Sequence, residues 1–234
     1  GQFMLFERGA YEEIGGHEAV KGEIVEDQRL AQILCRSGKR LTVRAAETVF
    51  AEVGFTTARL EDVAAAVGIR RPSIVYYFSN KQELYDAVEE DIFASMHGEA
   101  LARIAQHDKP IDKLLALFDG WLDFLVARPS AARIIQRLVA DVSPRRGDPT
   151  QFSNILLRDV EIVVNEGVAV GDFRSLPPMH VVNAVGSSSL FYVCNSKQLG
   201  SNRSYDAADP AELESFRALL HLLTRAAVAT ERSG

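Results

Sequence analysis

The sequence is poor in cysteine and has no long apolar run. Cys35 and Cys194 are its two cysteines in 234 residues, and neither lies in a Cys-x-x-Cys or Cys/His pattern. This spacing indicates free thiols rather than a disulfide framework or a zinc site, so no metal or cofactor is expected. No stretch approaches the roughly 18 apolar residues of a membrane span, and the first residues lack the apolar core of a secretion signal. We therefore expect a cytoplasmic protein without a membrane segment.

Motifs typical of enzymes are also missing. The five histidines are scattered along the chain, and no glycine-rich phosphate loop is present. The stretch Gly186-Ser-Ser-Ser-Leu lacks the closing glycine of the Gly-x-Ser-x-Gly nucleophile turn. We therefore expect that the protein is not an enzyme.

The residues that are present predict a helical globular protein. The chain is 47% hydrophobic and 25% charged, which excludes disorder as the dominant state. Apolar residues recur with helical spacing throughout, and the breaks at glycine and proline leave about nine helices after residue 40. An all-α fold follows, and Glu23 to Arg36 is a further, acidic helix within an N-terminal extension.

Charge is distributed unevenly along the chain. The net charge is −6, yet residues 39–85 carry 7 basic and 5 acidic side chains. An acidic total argues against a nucleic-acid ligand, but a basic segment can still bind DNA if its geometry suits the duplex. The geometry of this segment therefore decides between the two interpretations.

The basic segment has the pattern of a helix-turn-helix. A helix is predicted from Leu41 to Val53, ended by Gly54, and a two-turn helix follows and ends at Gly68. A third helix begins near Pro72, whose fixed φ suits a first helical turn. Two short helices joined by a tight glycine turn are typical of DNA-binding heads.

Residues 41–92, and most closely the stretch from Ala64 to Tyr85, resemble the DNA-binding domain of the TetR family of transcriptional regulators. The residues that carry the resemblance are Val63, Ala64, Gly68, Tyr76-Tyr77-Phe78 and Lys81. The family usually opens the second helix with threonine or serine, where this sequence has Arg59. We expect Thr57 to cap that helix instead, which would leave Arg59 able to reach the DNA backbone.

Seven residues are candidate DNA contacts: Arg59, Arg70, Arg71, Ser73, Tyr76, Tyr77 and Lys81. Tyr77 is expected to reach a phosphate or a thymine methyl group, whereas Phe78 is expected in the core and Tyr76 is either a contact or partly buried. Lys81 is expected to anchor a phosphate at the start of the next helix, which Asn80 caps. The alternative for each of these residues is a solvated surface side chain that does not contact DNA.

The remainder of the chain carries weaker signals. The resemblance implies that this body binds a small, largely apolar effector and forms a homodimer. The last two predicted helices, from Met179 and from Ala211, are apolar on more than one side and are expected to form the homodimer interface. Candidate effector contacts, chosen for aromatic density, are Phe93, His97, Trp121, Phe152, Leu156 and Phe191. Asp159 is expected to lie on a solvated face rather than in this site.

Together these features predict an N-terminal extension over residues 1–38, a helix-turn-helix domain over 39–85 and an effector-binding and dimerisation domain over 86–234. The expected function is that of a ligand-responsive repressor, which binds a pseudo-palindromic DNA operator as a homodimer. The alternative is an all-α binding or scaffold protein whose helix-turn-helix is architectural.

Overall fold

Residues 26–140, 153–197 and 203–230 are described by the computed structural model, with side chains from Gly38 onward. In these ranges the chain is helical, and its one β pairing is an isolated bridge between Phe173 and Ala229. The prediction of an all-α fold is confirmed. No helix in the described ranges is both long and apolar enough to cross a membrane.

Ten α-helical segments follow one another in the described residues. They are α1 (Glu26–Thr57), α2 (Leu60–Val67), α3 (Arg71–Tyr77), α4 (Lys81–Ile104), α5 (Pro110–Ala127), α6 (Pro129–Ala140), α7 (Asn154–Ala169), α8 (Pro178–Val181), α9 (Ser187–Asn195) and α10 (Pro210–Val228). A π-helical turn over Val182–Gly186 joins α8 to α9. These segments therefore make nine continuous helices in the described residues.

The first helix is longer than predicted. The sequence pattern separates an acidic helix over residues 23–36 from a helix over 41–53, but α1 runs through both. Gly38 stands inside it, although glycine costs about 1 kcal/mol relative to alanine there. Tyr77 explains this glycine, because a Cβ at Gly38 would lie 2.7 Å from the Tyr77 hydroxyl. The helix breaks as predicted at Gly54, whose φ of 78° favours glycine.

Packing divides the chain into two compact units, residues 1–88 and 89–234. The division falls inside α4, between Val88 and Glu89. In the first unit, α1 packs against α2 and α2 against α3. The fully or almost fully buried apolar side chains of that unit include Phe50, Val63, Ile74, Phe78 and Leu84.

The second unit is built around α5. This helix packs against α6, α7, α9 and α10, and its side chains from Leu114 to Phe118 are all buried. A helix that is apolar on every side must lie in the interior of its unit. The remaining helices of the unit therefore have a buried face toward α5 and a second face left for other contacts.

Candidate functional site

The second helix of the helix-turn-helix begins after Arg59 rather than at Thr57. Arg59 is its N-cap: the backbone is extended, with φ −120° and ψ 151°, and its amide donates to the Asp62 carboxylate at 3.0 Å. Thr57 is the last residue of α1, so the prediction that Thr57 caps this helix is wrong. The Arg59 side chain is exposed and forms no ion pair within the described part of the chain.

The turn between α2 and α3 has the geometry that its glycine predicts. Gly68 has φ 76° and ψ 20°, the left-handed conformation that glycine adopts without strain. Its amide donates to the Ala65 carbonyl at 3.2 Å, and the Ile69 amide donates to the Ala64 carbonyl at 2.9 Å. These bonds satisfy carbonyl groups at the end of α2 and turn the chain sharply into α3.

Two apolar side chains hold α3 on its unit. Ile74 is fully buried and Phe78, which follows the helix, is 1% exposed, so the prediction of Phe78 as a core residue is confirmed. Each contributes roughly 1.5–3 kcal/mol of burial. The rest of the helix is exposed at Arg71, Pro72, Ser73, Val75 and Tyr76. One side of α3 is therefore an anchor and the other is available to a ligand.

The two tyrosines of α3 differ in their exposure to solvent. Tyr76 is 76% exposed, whereas Tyr77 is partly buried. Tyr77 points to α1, where its hydroxyl lies against Gly38, and the Tyr76 ring meets the Tyr77 ring edge-on at 5.3 Å. Tyr77 is a predicted DNA contact, but its ring turns toward α1 because Gly38 leaves room for its hydroxyl. Tyr76 is the outward ring.

The two arginines that precede Pro72 differ in their surroundings. Arg71 pairs with Glu61 of α2 at 3.1 Å, and both side chains are more than half exposed. Exposed pairs of this kind contribute at most about 1 kcal/mol, so a phosphate or base can displace the carboxylate. Arg70 is exposed and makes no ion pair with any side chain in the described ranges.

The Lys81 side chain turns toward the turn between α1 and α2. Its ammonium donates to the carbonyl oxygens of Phe55 at 2.7 Å, Thr56 at 3.2 Å and Ala58 at 3.0 Å. An ammonium has three N–H donors, and all three are used inside the protein. Without DNA, the ammonium that is predicted to anchor a phosphate is therefore bound to backbone carbonyl groups of its own unit.

The start of α4 is capped as predicted. The Glu83 amide donates to the Asn80 side-chain oxygen at 2.9 Å. In return the Ser79 hydroxyl and amide donate to the Glu83 carboxylate, at 2.5 Å and 2.8 Å, and these two hydrogen bonds lower the pKa of Glu83. The cap holds the segment that follows α3 in a single geometry.

Comparison with known proteins identifies this helix-turn-helix. Residues 43–88 match the family model of bacterial regulatory proteins of the tetR family. The HTH-type transcriptional repressor NicS of Pseudomonas putida is 28% identical over 174 residues, which make up 71% of this chain and 81% of NicS. The chain belongs to the TetR family of transcriptional regulators. It is a DNA-binding regulator, and the matched residues include all of α2 and α3.

Solved structures of TetR family regulators share the fold. A TetR family transcription regulator from Marinobacter aquaeolei VT8 matches with a TM-score of 0.70 and 15% identity, over 84% of this chain and 97% of that one. FadR from Bacillus subtilis, solved in complex with stearoyl-CoA, matches with a TM-score of 0.63 and 15% identity, over 81% and 98% of the two chains. At these identities the likeness shows the fold alone.

The body of this TetR family regulator separates the predicted effector contacts. Phe93, Trp121 and Leu156 are buried and His97 is partly buried, whereas Phe191 is 62% exposed. Phe152 lies outside the described residues. Phe191 was predicted from aromatic density alone, which does not tell a wall of a pocket from an outer helix face. Phe191 instead lines an open groove on this outer face, and its contact with an effector stays a prediction.

A partly buried histidine–carboxylate hydrogen bond joins α4 to α7 in the body. His97 Nδ1 lies 2.7 Å from the Asp159 Oδ2, and the Asp159 side chain is 5% exposed. Burial raises the pKa of Asp159, although the hydrogen bond and charge of His97 act in the opposite direction. The prediction of a solvated Asp159 is wrong, and spacing within α7 alone could not reveal a partner 62 residues away.

Trp121 lies beside the π-helical turn. A Cβ at Gly186, the last residue of that turn, would lie 2.9 Å from the Trp121 ring, and Phe118 meets the ring edge-on at 5.5 Å. Trp121 Nε1 is buried and has no hydrogen-bond partner among the described residues. An unpaired buried donor is costly, so this nitrogen can donate to an acceptor that a ligand brings; Ser189 Oγ and Asn195 Nδ2 are further buried polar atoms without a partner among the described residues.

The outer faces of α6, α9 and α10 carry large apolar side chains. The most exposed of them are Val139, Phe191, Leu219, Leu222 and Leu223. They border an open groove of about 920 Å³, except for Leu222, which does not line it. Within this region Tyr192 stacks on Phe216 at 4.1 Å and holds α9 against α10. The sequence pattern did not indicate Val139, because α6 lies outside the last two helices.

Proposed function

We propose that this regulator is a repressor that binds a pseudo-palindromic operator as a homodimer and leaves it when a small molecule binds the body. The observation that carries this proposal is the exposed side of α3, which stands free of its own unit while Ile74 and Phe78 anchor the other side. Since its ligand is DNA, we place the protein in the cytoplasm of the cell.

Contacts to the operator come from the exposed residues of α2 and α3. We assign the sugar-phosphate backbone to Arg59 and guanine edges to Arg70, with Arg71 available once it leaves Glu61. Ser73 and Tyr76 are also exposed on α3 and are assigned to the DNA. The exposed Val75 adds an apolar contact to a thymine methyl group. Tyr77 supports α3 from behind rather than contacting DNA.

The homodimer is proposed to form through the apolar faces of α9 and α10, with α6 at their edge. Exposed apolar patches of this kind are typical of interfaces rather than of monomer surfaces. A two-fold axis would bring the same face of each copy together and would bury Phe191 and Leu222. Two copies would then supply the two recognition helices that a pseudo-palindrome needs.

The effector is proposed to bind within the body, near Trp121 and the His97–Asp159 pair. Its walls would be apolar side chains such as Phe93 and Leu156, and the Trp121 indole N–H would donate to an acceptor on the ligand. The stearoyl-CoA complex of Bacillus subtilis FadR supports a largely apolar ligand in a body of this fold. The ligand can shift operator affinity only by its differential affinity for the two states. The α4 helix is the proposed route between body and head.

Selection of bound sequences from random duplex DNA, with and without candidate ligands, tests this function. We expect enriched sites with two half-sites related by a dyad, and a loss of binding with at least one ligand. Arg70→Ala should cost about 1–3 kcal/mol of base discrimination, whereas the control Lys109→Ala, at the exposed N-cap of α5, should change nothing. Failure to enrich any duplex at low salt would instead support an architectural helix-turn-helix.

A further inference from the structure

The Lys81 ammonium lies in a cage of backbone carbonyl groups. Its three acceptors are the carbonyl oxygens of Phe55, Thr56 and Ala58, at 2.7, 3.2 and 3.0 Å. The same ammonium lies 4.6 Å from the centre of the Phe55 ring, a cation–π contact. Every polar requirement of this cation is thus met by one short stretch of the chain.

The position of these carbonyl groups in the chain favours a nearby cation. Phe55 and Thr56 lie in the last turn of α1, just after the break at Gly54, where carbonyl groups lack helical partners and the helix dipole is negative. The Phe55 ring also packs on Tyr85 at 5.0 Å, and Tyr85 meets Phe50 at 4.9 Å. The cage therefore stands on a packed aromatic cluster and not on a loose loop.

The clamped stretch leads directly to Arg59. Ala58 is 1% exposed and accepts a bond from Lys81, and the next residue is the exposed arginine that caps α2. The position of Arg59 therefore depends on where Lys81 holds the turn. To reach a phosphate, the Lys81 ammonium would have to break three charge-assisted hydrogen bonds and leave these carbonyl groups unpaired.

We propose that Lys81 is a positioning residue, which holds the turn between α1 and α2 so that Arg59 meets the DNA backbone, and that Lys81 binds no phosphate itself. This inference rests on the proposed operator contact of Arg59. It separates two cations of one head by role: Arg59 acts on the DNA, and Lys81 acts through Arg59.

A double-mutant cycle in the full chain tests the inference through the salt dependence of operator binding. Each phosphate contact contributes about 0.9 to the slope of log K against log salt concentration, so one contact per subunit contributes about 1.8 in a dimer. We expect Arg59→Ala to lower the slope by about 1.8, Lys81→Met to lower it by no more than that, and the double variant to match Arg59→Ala. Lys109→Met is the matched control and should leave the slope unchanged.

Two outcomes of this cycle overturn the inference. The first is a further fall of about 1.8 when Lys81→Met is added to Arg59→Ala, since Lys81 would then bind its own phosphate. The second is an unchanged slope for either single variant, Arg59→Ala or Lys81→Met. Absence of operator binding by the unmodified chain is a different result, because it rejects the proposed function and not the role of Lys81 within it.

Lysine reactivity in the unmodified chain gives a second test that does not depend on the folding of a variant. Reductive methylation followed by mass spectrometry compares Lys81 with the exposed Lys109, in the free protein and in its operator complex. We expect Lys81 to react several-fold more slowly than Lys109 without DNA and to gain no protection when DNA is added. Rapid methylation of Lys81 in the free protein that DNA suppresses would overturn the inference.

Discussion

The two units of the molecule use their cations differently. In the second unit, Arg217 lies 3.0 Å from Asp119 and 2.5 Å from Asp123, and its side chain is 18% exposed. In the first unit, Arg59 and Arg70 are exposed and make no ion pair in the described ranges. A paired, largely buried cation contributes to the fold, whereas an exposed one without an ion pair is available to a ligand.

The second unit extends its pairing into a network. Asp123 also accepts from Arg103 of α4 at 2.8 Å, and His221 Nε2 lies 2.9 Å from both oxygens of Asp119. Burial disfavours the charged Arg217, but the hydrogen bond to Asp123 and the neighbouring carboxylates outweigh it and raise its pKa. The network ties α4, α5 and α10 together within this unit.

The largest expected effect comes from removing the cation at the centre of that network. Arg217→Ala leaves Asp119 and Asp123 without their shared partner, and we expect a loss of about 2 kcal/mol of unfolding free energy, less than for a fully buried pair. For a chain of this size the midpoint temperature should fall by roughly 4–8 °C. Thermal unfolding measures it, with Arg70→Ala as the control that keeps the wild-type midpoint. Equal midpoint temperatures for Arg217→Ala and wild type would mean that the ion pairs of Arg217 do not stabilise the second unit.

A smaller effect is expected for the proposed contact between Val75 and a thymine methyl group of the operator. Replacing one contacted thymine of the operator by deoxyuridine removes a single methyl group, which should cost about 0.8 kcal/mol of binding. With Val75→Ala the same replacement should cost much less, because the partner of the methyl group is gone. Fluorescence anisotropy with the two duplexes and two proteins measures the coupling. Equal costs in both proteins would remove Val75 from the reading surface.

The smallest effect concerns the cap that follows α3. Because the pKa of Glu83 is lowered from its usual 4.5 in the folded state, its carboxylate stabilises the fold above that value and loses this contribution as the pH falls through the folded pKa. We expect Glu83→Gln to lower the midpoint temperature slightly at pH 7 and by less near pH 3. Parallel melts of the two proteins across this range test it. A deficit of the same size at both pH values would mean that the charge of Glu83 plays no part.

Features that depend on neighbours in sequence were predictable. Gly54 and Gly68 end helices because few other residues adopt a positive φ, and Asn80 caps α4 because its side chain reaches the first free amides. In each case the interaction spans fewer than about five residues, so a local pattern contains all the information needed.

Features that depend on residues far away in the sequence could not be predicted. Lys81 meets carbonyl groups 23 to 26 residues earlier in the chain, and His97 meets Asp159 62 residues later. Tyr77 turns toward α1 because Gly38 leaves room for its hydroxyl, and Tyr76 is left exposed. Phe191 lies on an outer face, where it lines an open groove. No spacing rule contains these contacts.

The amino-acid sequence by itself determined the helical class, the helix-turn-helix with its glycine turn, and the family, because these rest on local conformational preference and on one short motif. Only the tertiary structure decided which cationic side chains are bound to groups of the protein itself and which are available to a ligand. Hydrogen-bond donors are satisfied by whatever the folded chain brings within about 3 Å, and that partner depends on the packing of whole helices.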